Sequence, residues 1–253
     1  MLNNATVTKL REMKLGVMAD AFTAQLEVQN FAEMSFDERI GLIAPAEYLS
    51  RRNNRLKRLI HGAGFIYPNA ALEDIEYHAD RKLDKGLITR LGTCNYIGEY
   101  RNIIVLGATG CGKSYIANAF GMTACRNFLT VKYVRLPDLL AELAIARASG
   151  TYGKALKQYK NVQLLILDEW LLYQLKEVEA RDLLEITESR YKKASTIFCS
   201  QFDVGGWFEK IGEETIADAI CDRIVHDSYK ILIAGEDSMR KRKGLTKETP
   251  EQS

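Results

Sequence analysis

Gly107-Ala108-Thr109-Gly110-Cys111-Gly112-Lys113-Ser114 fits G-x-x-x-x-G-K-[ST], the phosphate-binding P-loop, without a mismatch. Its surroundings fit as well. Ile103-Ile104-Val105-Leu106 reads as a buried strand running into the loop, and Tyr115 to Arg126 reads as the helix leaving it. Glycines let successive backbone N–H groups turn inward and hold phosphates at a helix N-terminus. In such a loop Lys113 reaches the β- and γ-phosphates and the Ser114 hydroxyl holds Mg²⁺. The implied ligand is ATP with its magnesium ion. Tyr115, next along, is counted with the loop, and Cys111 is read as a variable loop position.

A second element supports the first. Val162-Gln-Leu-Leu-Ile-Leu-Asp168-Glu169 is an apolar strand ending in two acids. P-loop enzymes need a strand-end carboxylate near Mg²⁺ and a group that positions the attacking water. Asp168 suits the metal and Glu169 the water. A buried strand accounts for the Leu/Ile run, but not for adjacent carboxylates where it ends, because burying unpaired charge is costly.

From residue 101 onward strands and helices alternate. The expected strands are 102–106, 130–135, 162–168, 195–200 and 229–234, joined by helices into βαβ units. That pattern predicts an α/β fold with a parallel, doubly wound five-stranded sheet. Ligands of such sheets lie at the carboxyl ends of the strands, where the P-loop and Asp168-Glu169 both fall. Upstream, residues 6–60 are helical in pattern. Leu10, Met13, Leu15, Met18, Phe22 and Leu26 recur at three- and four-residue steps. Ser35-Phe-Asp-Glu38 is a capping box opening another helix, with Ile40, Leu42, Ile43 and Leu49 as its apolar stripe. Both stripes read as core or helix–helix contacts. Arg51-Arg52-Asn-Asn-Arg55-Leu-Lys57-Arg58 carries five bases and no acid; it is a solvated helix face or, preferred here, a phosphate-binding one. His61-Gly-Ala-Gly-Phe-Ile-Tyr-Pro68 reads as a linker. The expected organisation is a helical N-terminal DNA- or partner-binding domain over 1–66, a connecting segment over 67–100, an ATPase domain over 101–244 and a disordered polar tail over 245–253.

Composition narrows the class. A hydrophobic fraction of 47% over 253 residues supports a real core. The net charge of +2 rules out a polycation, so a nucleic-acid site must be a local patch. The five cysteines, Cys94, Cys111, Cys125, Cys199 and Cys221, have no C-x-x-C spacing. That argues against a disulfide framework or zinc site and for a reducing, cytoplasmic setting. No signal-peptide layout and no run of about 18 apolar residues appears, so no membrane role is expected.

Several segments together resemble a known family. Besides residues 107–114 and 164–169 they are Thr196-Ile-Phe-Cys-Ser200-Gln201, Ile216-Ala-Asp-Ala-Ile-Cys-Asp222-Arg223-Ile-Val-His226 and Gly235-Glu-Asp-Ser-Met-Arg240-Lys, with Leu10-Arg-Glu-Met-Lys-Leu-Gly-Val-Met-Ala19 and Ser35-Phe-Asp-Glu-Arg39 near the N-terminus. The chain resembles IstB-type transposition helper ATPases, in the AAA+ initiator and helicase-loader clade that also contains DnaC. The resemblance implies an ATPase that binds duplex DNA, assembles head-to-tail with copies of itself and assists a transposase. It makes Gln201, or else Ser200, the polar sensor at the end of the fourth strand. Arg223 becomes an arginine finger reaching a neighbouring subunit's γ-phosphate, with an ion pair to Asp222 or Asp218 as the plain alternative. Arg240 becomes a second sensor within its own subunit, with a generic basic tail as the alternative. A chain stopping soon after Arg240 leaves no room for a C-terminal helical lid, so a neighbour is expected to cover the nucleotide. Initiator-type DNA contacts would fall near Arg147 and Lys154. A helicase loader on the same core, and a nucleotide-switched assembly module with negligible turnover, are the competing readings. Duplex preference would separate the first two, and measured turnover the third.

Overall fold

Five β-branched- and leucine-rich runs form one sheet because the central ones are apolar on both faces and all are connected by helices long enough to cross over. The computed structural model describes residues 2–28, 31, 33–235 and 239. Its strands are β1 (Asn102–Gly107), β2 (Val131–Arg135), β3 (Leu164–Asp168), β4 (Ser195–Ser200) and β5 (Ser228–Ile233). They pair in the order β2-β3-β4-β1-β5, all parallel. β3 and β4 are central and fully buried, and β1 beside them is buried over Ile103–Val105, as a sheet covered on both faces requires. β2 and β3 begin one and two residues later than the sequence suggested. There Thr130 N–H and Oγ1 donate to Gln163 Oε1, side-chain bonds that stand beside the backbone bond from Leu164 N–H to Thr130 O.

The helices of this unit are α4 (Lys85–Leu91), α5 (Asn95–Gly98), α6 (Lys113–Arg126), α7 (Leu136–Ala148), α8 (Tyr152–Lys160), α9 (Glu177–Arg190), α10 (Val204–Ile211) and α11 (Glu214–Val225). α6 leaves the P-loop and is buried over most of its length, including Phe120 and Asn118. Close approach is built into it: a Cβ at Gly121 would lie 2.5 Å from the Phe65 ring. Trp170, Phe198 and Trp207 form an aromatic cluster, with Trp170 and Phe198 edge-to-face at 4.7 Å. Such pairs add about 0.5–1.5 kcal/mol beyond area burial. This cluster lies directly behind the carboxyl end of β3.

The N-terminal helices form a separate unit. Two compact units span 1–58 and 59–253, so the boundary falls inside a helix, and the connecting segment 67–100 belongs with the sheet. The first unit holds α1 (Leu2–Glu12), α2 (Gly16–Glu27) and most of α3 (Phe36–Ala63). α3 opens with the capping box read from sequence: Ser35 N–H donates to Glu38 Oε2 at 2.8 Å, and Glu38 N–H to Ser35 Oγ at 3.3 Å. It runs on to Ala63, so His61, Gly62 and Ala63 are helical rather than linker. The apolar stripes are less buried than expected. Ala19 and Ile43 are buried, whereas Ile40, Leu42 and Leu49 are about half exposed. Three helices enclose too little volume to cover every apolar position. Polar ties do more of the holding: buried Glu47 accepts from Met18 N–H and Arg51 Nε.

Candidate nucleotide-binding site

β1 ends at Gly107, where the chain must turn without a side chain. A Cβ there would meet Cys111 Sγ and Ile233 O, each at 2.7 Å. Gly112 adopts φ 101°, a conformation that L side chains rarely adopt, and caps the start of α6. Lys113 follows, only 9% exposed. Its Nζ donates to Gly107 O and Ala108 O, both at 2.8 Å. An ammonium has three donors, and the loop's own carbonyls take two. Among the described residues no carboxylate pairs with it. A buried cation without an anion, at a helix N-terminus, fits a phosphate.

The carboxyl end of β3 faces the same space. Thr109, Lys113, Ser114, Asp168, Glu169 and Gln201 line a cleft of about 80 Å³. Asp168 is buried and held on both oxygens: Oδ2 accepts from Tyr133 Oη at 2.7 Å, and Oδ1 from Glu169 N–H at 2.9 Å. Burial first, then the Asp168 charge, pushes the Tyr133 phenol far above its usual range, so it stays a donor. After Asp168 the backbone turns through left-handed conformations at Glu169 (φ 54°) and Leu171 (φ 53°). Such residues persist only when their surroundings over-determine them. Here Trp170 N–H donates to Cys199 O at 2.8 Å, and its indole is locked in the aromatic cluster. The Glu169 carboxylate receives a 2.7 Å hydrogen bond from Arg135 at the end of β2, and that contact raises the Arg135 pKa.

β4 lies between β3 and β1, so its end faces the cleft from the middle. Gln201 Oε1 accepts from Thr109 Oγ1 at 2.9 Å, joining the end of β4 to the P-loop. Ser200 does not belong there, which corrects the alternative sensor assignment. Its hydroxyl is buried, donates to Trp170 O, and accepts from Phe202 N–H and Trp207 Nε1, each at 3.1 Å. Ser200 is thus an anchor for the aromatic cluster.

On the other side of the loop, Tyr67, Ile75, Glu76, Arg81, Tyr115 and Met239 help line a pocket of about 240 Å³ that shares Gly110, Lys113 and Ser114 with the cleft. Its size and apolar walls suit a nucleoside beside a phosphate site. Tyr67 and Tyr115 stand with ring centroids 5.8 Å apart. Met239 N–H donates to Gly110 O at 2.9 Å. Sequence reading had Tyr115 but missed Tyr67, Ile75 and Arg81; two aromatics in Phe65-Ile-Tyr67-Pro68 were the available signal.

The remaining candidates lie apart. Arg223 is on α11, with Nη2 donating to Glu188 at 2.9 Å and Nη1 to Ala219 O at 2.7 Å. Its ion pair is therefore with Glu188 rather than Asp222 or Asp218. Arg223 shares a hollow with Asn102, Thr196 and Asp227, at the amino ends of the strands, opposite the P-loop. Arg240 and the expected tail 245–253 lie outside the described residues. Arg51, Arg52, Arg55, Lys57 and Arg58 are exposed on α3. Arg51 is committed internally, donating to Glu47 at 2.7 Å and to Lys14 O at 2.8 Å. Arg147 likewise pairs with buried Asp182 and stacks on Tyr152 at 4.7 Å. Lys154 is exposed on α8.

Known proteins resemble this chain in sequence and fold. The family model described as IstB-like ATP binding protein matches residues 8–247. The insertion sequence ATP-binding protein y4pL of Sinorhizobium fredii is 39% identical over 243 residues, covering 96% of this chain and 99% of that protein. The insertion sequence IS1162 ATP-binding protein of Pseudomonas fluorescens is 39% identical over 201 residues, covering 79% of this chain and 87% of that protein. Among solved structures, DnaI superposes with a TM-score of 0.55 at 24% identity, covering 66% of this chain and 89% of that one. The DnaC helicase loader gives 0.53 at 19%, covering 65% and 98%. These likenesses establish the P-loop AAA+ fold. With a family match spanning nearly its whole length, and a P-loop flanked by strand-end carboxylates on one side and a nucleoside-sized pocket on the other, the chain belongs to the IstB-like ATP-binding proteins of insertion sequences.

Proposed function

We propose that this protein is a magnesium-dependent ATPase that assembles head-to-tail on duplex DNA and assists the transposase of its insertion sequence. One observation carries the catalytic part: Lys113, Ser114, Asp168, Glu169 and Gln201 converge on one cleft. Lys113 and the loop amides bind the phosphates. Ser114 and Asp168 hold the metal, which when bound offsets phosphate charge. Among the described residues no cluster of three metal-ligating groups exists. The Ser114 hydroxyl and the Asp168 carboxylate are the hard oxygen donors that would suit Mg²⁺, an ion commonly held by only one or two protein groups. Glu169, fixed by its strained turn, orients the water. Gln201, its carbonyl held by Thr109, would donate from its amide to the phosphate.

The place of Arg223 favours assembly. It lies at the wrong end of its own sheet to meet its own nucleotide, so a role at phosphate requires a neighbour. A heterologous contact of that kind gives rings or helices rather than two-fold dimers. The names of the two relatives, both insertion-sequence proteins, favour DNA and a transposase as partners. The helicase-loader reading is weaker: the DnaI and DnaC likenesses cover about two thirds of the chain, whereas the insertion-sequence family extends through the helical unit. The exposed cations of α3, chiefly Arg52, Arg55, Lys57 and Arg58, are the preferred phosphate-binding face, with Lys154 as the second surface. Electron microscopy with duplex DNA, with and without a non-hydrolysable ATP analogue, tests the reading. Nucleotide-dependent filaments or rings on duplex are expected. Binding only to single strands, or no assembly, would refute it.

A further inference from the structure

Arg81, so far only a wall of the nucleoside pocket, is a charged residue of the connecting segment that is only 5% exposed. It closes a short 3₁₀ turn, Ala79–Arg81, and is fixed from several sides. Its backbone carbonyl accepts from Ala234 N–H at 3.0 Å, just beyond β5. One guanidinium nitrogen, Nη1, donates to Glu76 O. The other, Nη2, crosses to the P-loop and donates to Cys111 O at 2.9 Å. The approach is close enough that a Cβ at Gly112 would lie 3.1 Å from that nitrogen.

The Cys111 carbonyl and the Gly112 amide belong to one planar trans peptide, so they point in opposite directions. Gripping the carbonyl from outside the loop turns the Gly112 N–H to the other side. Gly112 itself, at φ 101°, has the freedom to let this peptide rotate. We infer that Arg81 is a positioning residue for the phosphate cradle: its guanidinium pins the Cys111–Gly112 peptide so that the Gly112 N–H is held toward the polyphosphate before nucleotide arrives. The planar fork suits this task because it serves two carbonyl acceptors, Glu76 O and Cys111 O, from one rigid group. The segment 67–100 is thereby a working part of the nucleotide site.

This inference rests on the P-loop's binding ATP, and the test keeps the two apart. Full-length wild type, Arg81→Met and Arg81→Lys are titrated with a fluorescent ATP analogue, which unlabelled ATP, ADP and AMP then displace. A hydrogen bond from a charged donor is worth about 1.5–3 kcal/mol, so Arg81→Met should weaken ATP and ADP about 10- to 100-fold. AMP, which lacks the phosphates furthest along the cradle, should lose about threefold or less on the same scale. Arg81→Lys keeps the charge but not the fork and should fall between. Wild-type ATP affinity in Arg81→Met, or an equal loss for AMP and ATP, overturns the inference, since equal loss means Arg81 only shapes the nucleoside pocket. If Arg81→Met fails to fold by circular dichroism, Arg81→Lys decides: a phosphate-graded loss supports the inference and wild-type affinity overturns it. Failure of the wild type to bind the analogue would instead sink the nucleotide reading, and this inference with it.

Discussion

Arg223→Ala tests whether the ATPase site is completed by a second copy of the chain. Arg223 shares its hollow with Asn102, the first residue of β1, whereas the P-loop starts at the last, Gly107. Five steps at about 3.3 Å put the two ends about 17 Å apart, beyond an arginine's reach. Removing Arg223 should therefore leave ATP binding by an isolated subunit unchanged. Stability should hardly move: the pair with Glu188 is 28% and 50% exposed, and such pairs are worth about 0–1 kcal/mol. That corresponds to a shift of about 2–4 °C or less in melting temperature. DNA-stimulated phosphate release should fall about 10³- to 10⁵-fold, as when a finger is withdrawn in related P-loop systems. Mixing with Lys113→Ala makes the test specific. In a random equimolar head-to-tail assembly, an active interface needs an intact P-loop on one subunit and an intact finger on the next. About one quarter of interfaces qualify, so about a quarter of wild-type turnover should return. Phosphate release is measured across mixing ratios, with crosslinking to demonstrate mixed assemblies. No recovery in proven mixed assemblies refutes a finger acting in trans.

Glu169→Gln keeps the shape and loses the carboxylate, so ATP binding and assembly should survive while turnover drops at least 100-fold; wild-type turnover would remove Glu169 from catalysis. Lys113→Ala deletes a direct phosphate ligand and should weaken ATP binding itself, read by nucleotide titration. Tyr133→Phe removes the hydrogen bond that orients Asp168 and should raise the Mg²⁺ concentration for half-maximal nucleotide binding about 10-fold, with little loss of fold; an unchanged Mg²⁺ titration would show the hydroxyl is only structural. Replacing Arg52, Arg55 and Arg58 with Ala should flatten the log–log salt dependence of duplex binding by up to about 2.7, for three phosphates at about 0.9 each. An unchanged slope would move the DNA face to Lys154 and its neighbours, whereas Arg51→Ala should register as lost stability because of its ties to Glu47 and Lys14.

The parts of the site that were legible in sequence are those whose chemistry is contiguous along the chain. A P-loop must be one loop, and Asp168 and Glu169 must end one strand, so pattern alone located both. The capping box at Ser35 and Glu38 was legible for the same reason: its two bonds span three residues. Ser200 and Gln201 could not be told apart because successive strand residues face opposite ways, and only the register decides which meets the loop. The structure sends Ser200 to the aromatic cluster and Gln201 to Thr109. Partners remote in sequence were not legible: Arg147 pairs with Asp182, 35 residues on, and Arg51 donates to a carbonyl 37 residues back.

The nucleoside side of the site was least legible, because residues 67–81 carry no periodicity and no recognised spacing. Their role is created by long-range geometry: Tyr67 meets Tyr115, and Arg81 meets Cys111. The cost of that geometry is visible on the cleft side, where Glu169 and Leu171 take left-handed conformations that neither residue prefers. Trp170 between them is wholly buried. Truncating that indole would remove the packing that holds the turn, so the position of the Glu169 carboxylate depends on the aromatic core behind it. Strain at Glu169 and rigidity behind it are two aspects of one requirement: the carboxylate must be fixed before the nucleotide arrives, and only packing distant in sequence can fix it.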